Sequence, residues 1–156
     1  MVIKMNKIVL QLITAFIGSV SFCFVFNLRR QLIPIASLGS ILCWSIYLIG
    51  TYFYNGALIP CLLASAAAAL YAEILARIKK APATLFLVTG VLPVIPGSKL
   101  YYTMSSVVHK DWELAKEYGV LTIESAIAIA IGISLIWAFS VMLQNILKNR
   151  KNVVDV

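Results

Sequence analysis

The stretch that decides the reading of this chain is Ala83–Val108, ATLFLVTGVLPVIPGSKLYYTMSSVV. It is long enough to cross a bilayer as a helix, which takes about 20 apolar residues. Pro93, Pro96 and Gly97 interrupt it, and Lys99 sets one charge just past the interruption. Hydrocarbon penalises unpaired backbone groups and buried charge, so an ordinary span avoids both. A span that keeps them is expected to be the working centre of a membrane protein.

The rest of the chain agrees with a membrane setting. It is 62% hydrophobic and only 12% charged, with a mean hydropathy of +0.95; a soluble domain carries about twice that charged fraction. Upstream, a first span covers about Ile8–Phe26 and ends in a basic connection with Asn27, Arg29, Arg30 and Gln31. Lys4 and Lys7 precede it as in a signal peptide, but the run is long and has no clean small-residue cleavage site, so it reads as a retained helix. A second span, about Ile33–Tyr54, contains Gly39 and Gly50, and Asn55-Gly56 is a turn signal. A third, about Ala57–Ala76, ends in Arg77, Lys79 and Lys80, and Pro82 separates it from the broken segment. Downstream, residues 109–118 read as a polar loop whose Asp111, Glu113, Lys116 and Glu117 form a solvated face. A fifth span covers about Val120–Leu143, and the tail carries Lys148, Arg150, Lys151 and Asp155. The expectation is an all-α polytopic membrane bundle of about five spans, the fourth broken, forming one integral membrane domain over residues 1–156.

The net charge of +7 lies mostly in connections and tail, where orientation signals belong, so nucleic-acid binding is not expected. Placing Arg29/Arg30, Arg77/Lys79/Lys80 and Lys148/Arg150/Lys151 in the cytoplasm satisfies the positive-inside rule and puts the N-terminus outside and the C-terminus inside, at the cost of leaving Lys4 and Lys7 outside. A re-entrant broken segment leaves four crossings and defeats that assignment.

The third span repeats Ala64, Ala68, Ala72 and Ala76 every four residues, a face that admits close helix approach. Ala128 with Gly132, and Ala126 with Ala130, offer shorter versions. Such faces fit a tight bundle, and also a unit that expects neighbours, a homo-oligomer included. Cys23, Cys43 and Cys61 each stand alone in apolar sequence, and His109 is the one histidine. No metal site, no catalytic set and no cofactor is therefore expected.

The two prolines lack backbone donors, Gly97 permits a sharp bend, and with Ser98 they break the helix into halves. A break facing a polar cavity holds a solute through its freed backbone groups and helix ends; a packed kink is the alternative. Lys99 has three readings: a partner for a substrate carboxylate, a snorkelling cation, or half of an ion pair. Tyr101 and Tyr102 line a pocket or anchor at the interface, and Ser98 and Thr103 are weaker donors of the same kind. Glu73 and Arg77, four apart, form a local ion pair, or Glu73 carries protons or gates; Glu124 raises the same question.

Leu92, Pro93, Pro96, Gly97, Ser98, Tyr101 and Tyr102 spell L-P-x-x-P-G-S followed by tyrosines. With the length and span layout, this pattern resembles the small-subunit type of the threonine/serine exporter family, the YjjB-like proteins with a ThrE_2 domain, over essentially the whole chain. The resemblance implies a secondary-active, proton-coupled exporter of threonine and serine, or of a small dicarboxylate such as succinate, in a bacterial cytoplasmic membrane. It implies a larger YjjP-like (ThrE_1-type) membrane subunit as partner and a small carboxylate-bearing solute as cargo. The sequence has no ATP-binding loop, which agrees with a secondary process. Three other classes compete: a non-transporting accessory subunit of a larger transporter, a membrane-embedded enzyme and an ion channel.

Overall fold

A computed structural model describes the backbone of residues 2–154 and the side chains of residues 6–144 and 146. The side chains of Lys4, Lys148, Arg150 and Lys151, and all of Asp155, lie outside the described residues.

Among the described residues six α-helices follow one another: α1 Val2–Val25, α2 Ile33–Phe53, α3 Leu58–Lys79, α4 Ala83–Val91, α5 Gly97–Val108 and α6 Trp112–Val154. A 3-10 turn, Leu92–Val94, extends α4. Local chemistry sets the ends. Asn27 closes α1 in the left-handed region at φ 51°, and the Leu28 amide donates back to the Cys23 carbonyl at 3.0 Å. Pro34 stands in the first turn of α2, where its missing N–H costs nothing. Lys80 ends α3 at φ 49°, and the Ala81 amide reaches the Ala76 carbonyl at 3.2 Å, a left-handed cap.

Four helices contain segments long and apolar enough to span a membrane: Asn6–Val25, Ile33–Phe53, Leu58–Lys79 and Trp112–Gln144. The pair Ala83–Val94 and Gly97–Val108, bent by 56°, makes a fifth when it is counted as one span. The chain is a multi-pass all-α bundle, as its sequence indicates.

The 109–118 loop is corrected. Only His109–Asp111 connects α5 to α6, and residues 112–119 are the first turns of α6. Asp111 Oδ1 accepts the Leu114 amide at 3.1 Å, an N-cap, and Glu113 follows in the first turn, favourable to the helix dipole. Ala115 is buried. Polarity had marked the end of the apolar run, but the helix continues beyond it: the 33 residues of Trp112–Gln144 rise about 50 Å, more than a hydrocarbon core of about 30 Å.

Helices α2 and α3 form the centre. Helix α1 packs on α2 and α4, α4 lies across α2 and α3, α6 packs on α3, and among the described residues α5 touches α6 alone. Small residues make the close crossings. Ala64, Ala68 and Ala72 are 0–1% exposed, so the alanine face is an inner one. A Cβ at Gly132 would meet Ser65 Oγ and, at 2.7 Å, the Leu62 carbonyl, so α6 crosses α3 where Gly132 has no side chain. Ala128 shares that face, whereas Ala126 and Ala130 are exposed on another. Hydroxyls and thiols complete the packing: Tyr71 Oη donates to the Ile35 carbonyl at 2.7 Å, and Cys43 Sγ to the Ala64 carbonyl at 3.4 Å. All three cysteines are buried and unpaired.

Helices α3 and α6 run in the same direction, because Ser65 meets Gly132 and Arg77 meets Ser140. Helix α5 runs against α6: Lys99 meets Ser125, and Tyr102 meets Tyr118 further back. The connections holding Arg29 and Lys79–Lys80 share one end of the bundle. Helix α4 starts at that end and α5 finishes at the start of α6, the opposite end. The broken segment therefore advances through the bundle and does not double back.

Candidate functional site

The break is built from its missing donors. In a continuous helix the Thr89 carbonyl would accept the amide of residue 93, and the Leu92 carbonyl that of residue 96. Both are prolines. The Thr89 carbonyl instead accepts Ser19 Oγ of α1 at 2.9 Å, and the Leu92 carbonyl accepts the Ile95 amide at 3.3 Å. Thr89 and Ser19 are fully buried. The Gly97 amide turns back to the Ile95 carbonyl at 2.7 Å, and α5 starts from there.

Two faces leave this break. On one, Leu92 and Pro93 join Gln11, Thr14, Ala15 and Gly18 of α1 and Trp44 of α2 around a cavity of about 270 Å³. Trp44 stacks on Tyr47 with ring centroids 4.9 Å apart. Its buried indole N–H has no hydrogen-bond partner among the described residues. On the other face, Lys99 reaches α6, where its Nζ donates to Ser125 Oγ at 2.8 Å and Ser125 Oγ donates to the Leu121 carbonyl at 2.7 Å. Lys99 is half-buried and Ser125 fully buried. No carboxylate lies within ion-pair distance of Lys99 among the described residues; Glu124, one position before Ser125, is no exception. Thr103 Oγ1 is occupied by the Lys99 carbonyl at 2.8 Å.

The remaining candidates separate. Gly97 and Ser98 are exposed, and Pro96 is half-buried. Tyr101 and Tyr102 are exposed on α5, edge to face with each other, and Tyr102 also stacks near Tyr118 at 5.2 Å. Within this chain neither tyrosine lines the cavity beside Pro93.

Glu73 and Arg77 lie at the basic end, away from the break. Their charged atoms are 3.8 Å apart, and Ser140 of α6 stands between them: Arg77 donates to Ser140 Oγ at 2.8 Å, and Ser140 Oγ donates to Glu73 Oε2 at 2.8 Å. The pair expected within α3 is thus a three-residue bridge from α3 to α6.

The sequence reading missed Gln11, Thr14, Trp44, Ser125 and Ser140. Single polar residues inside apolar runs were the signal, but only their tertiary partners separate them from ordinary back-bonded serines.

Neither curated proteins nor solved structures gave a match. The family model described as "Threonine/Serine exporter, ThrE" matches residues 11–139, a region that holds α2 to α5, both faces of the break and the Glu73–Arg77 pair, and stops one residue short of Ser140. The chain belongs to the threonine/serine exporter family, and it is a multi-pass membrane protein of the transporter type.

Proposed function

We infer that this chain is the small subunit of a secondary-active, proton-coupled exporter that moves threonine and serine, or a small dicarboxylate such as succinate, together with a larger YjjP-like (ThrE_1-type) subunit. The membrane is the bacterial cytoplasmic membrane, with the N-terminus outside. The observation that carries the reading is Lys99: a half-buried ammonium beside a helix break, held by a neutral hydroxyl. An ammonium removed from water without a counter-charge is costly. A carboxylate brought by the solute offsets that cost, and both amino acids and dicarboxylates carry one.

In this reading the solute's carboxylate lies between Lys99 and the first turn of α5, whose free amides favour an anion. The break beside Pro93 is the joint about which the two halves of the span reorient, giving alternating access. Helix α5 packs only on α6, so its exposed face, with Ser98, Tyr101 and Tyr102, is the wall that the larger subunit completes. The test is flux of labelled threonine, serine and succinate in proteoliposomes holding this chain alone, the larger subunit alone, or both, with and without an imposed proton gradient. Gradient-driven flux confined to the paired sample is expected. Equal flux from either subunit alone overturns the two-component reading.

A further inference from the structure

At the end of the bundle where α1 joins α2 and α3 joins α4, the two connections enclose a cavity of about 470 Å³. Arg29, Lys79 and Lys80 line it, together with Leu28, Leu32 and Leu85. Leu28 belongs to the buried core, and Leu32 and Leu85 pack against that core, so the cavity has an apolar floor under a basic rim. No acid lines it, and among the described residues the one ion pair is Arg77–Glu73. Among the described residues, the three cations therefore have no carboxylate to offset their mutual repulsion.

Closed turns, not free loops, hold these cations. Asn27 and Lys80 both adopt the left-handed conformation, and the Leu28 and Ala81 amides fasten each turn to the helix before it. A guanidinium and two ammonium groups in one concavity match an anion with several oxygens; the arginine fork suits phosphate in particular. Basic pockets between helix ends at the membrane surface are sites for phosphate headgroups. We propose that this cavity binds a phosphate group, with Arg29, Lys79 and Lys80 on its oxygens, and that the apolar floor selects the phosphodiester of an anionic phospholipid over free phosphate.

Native mass spectrometry of the purified full-length chain, titrated with phosphatidylglycerol or phosphatidylcholine, tests this. Inorganic phosphate is added as competitor in a parallel series. Phosphatidylglycerol is expected to bind tighter than phosphatidylcholine. The triple variant Arg29→Gln, Lys79→Gln, Lys80→Asn is expected to lose roughly a hundredfold of that binding, at about fivefold per cation near an anionic lipid; asparagine is used because it tolerates the left-handed position. Arg30→Gln, adjacent but outside the cavity, is expected to stay within about twofold of wild type, below the loss of any single lining cation. Where the triple variant fails to fold, Arg29→Gln and Lys79→Gln are read singly, each with about a fivefold loss expected. Competition by inorganic phosphate identifies the phosphate group alone as the ligand; its failure to compete identifies the lipid. Equal binding of the two lipids with no effect of phosphate overturns the site, as does a loss in Arg30→Gln equal to that of the triple variant.

Discussion

Ser19 of α1 donates its hydroxyl to the carbonyl of Thr89 in α4 at 2.9 Å, replacing the bond that Pro93 cannot make. A proline break in a bilayer is stable only where another group satisfies the carbonyl it frees. Here that group comes from a different helix, so the break and the α1–α4 contact stabilise one another. Ser19→Ala leaves a buried acceptor unpaired and is expected to cost about 1–3 kcal/mol. Pro93→Ala restores a backbone donor. In a double-mutant cycle followed by denaturant unfolding, Ser19→Ala is expected to cost less in the Pro93→Ala background. Strict additivity would separate the two residues.

Gly132 marks the tightest crossing. Because a Cβ there meets Ser65 and the Leu62 backbone, Gly132→Ala is expected to push α6 off α3 and destabilise the bundle by about 1–3 kcal/mol. Ala130→Val, on an exposed face, is expected to stay within about 0.5 kcal/mol of wild type. Unfolding titrations of the two purified variants give the comparison; equal stability would contradict the packing.

The Glu73–Ser140–Arg77 bridge ties α3 to α6 at the basic end. Ser140→Ala is expected to lower stability by about 1 kcal/mol, and Glu73→Gln to lower it as well. Gradient dependence of flux, measured per assembled complex, is expected to survive in both. Loss of that dependence in Glu73→Gln with stability unchanged would make Glu73 a proton carrier instead of a structural ion.

Trp44 carries a buried N–H without a partner beside the cavity next to Pro93. An unmet donor stabilises nothing, so Trp44→Phe is expected to leave thermal stability equal or higher. If the donor serves the passing solute, the same variant raises KM in the flux assay. A drop of several degrees in Tm would show that the indole serves the fold through its packing on Tyr47 instead.

Apolar runs and the run of prolines made the bundle legible from sequence, since hydrocarbon length and proline chemistry are local properties. The alanine repeat at Ala64, Ala68 and Ala72 also pointed to an inner face, because helical spacing alone brings those positions together. The start of α6 was not legible: Asp111, Glu113, Lys116 and Glu117 suit a loop as well as a helix that has left the hydrocarbon. Nor were the partners of Lys99 and Glu73. Ser125 is 26 residues from Lys99 and Ser140 is 67 from Glu73, and their pairing depends on the antiparallel run of α5 and the parallel run of α3 beside α6. Ser19 was hidden for the same reason; the proline announced a freed carbonyl but not which helix satisfies it.

The most direct test of the carboxylate role of Lys99 is gradient-driven flux of threonine, serine and succinate through assembled complexes carrying wild-type chain, Lys99→Arg or Lys99→Gln. Complex formation is checked by size-exclusion chromatography in each case. The predicted result is normal assembly in all three, flux lost in Lys99→Gln and partly kept in Lys99→Arg, which preserves the charge. Wild-type flux in Lys99→Gln would contradict it and return Lys99 to a structural pairing with Ser125.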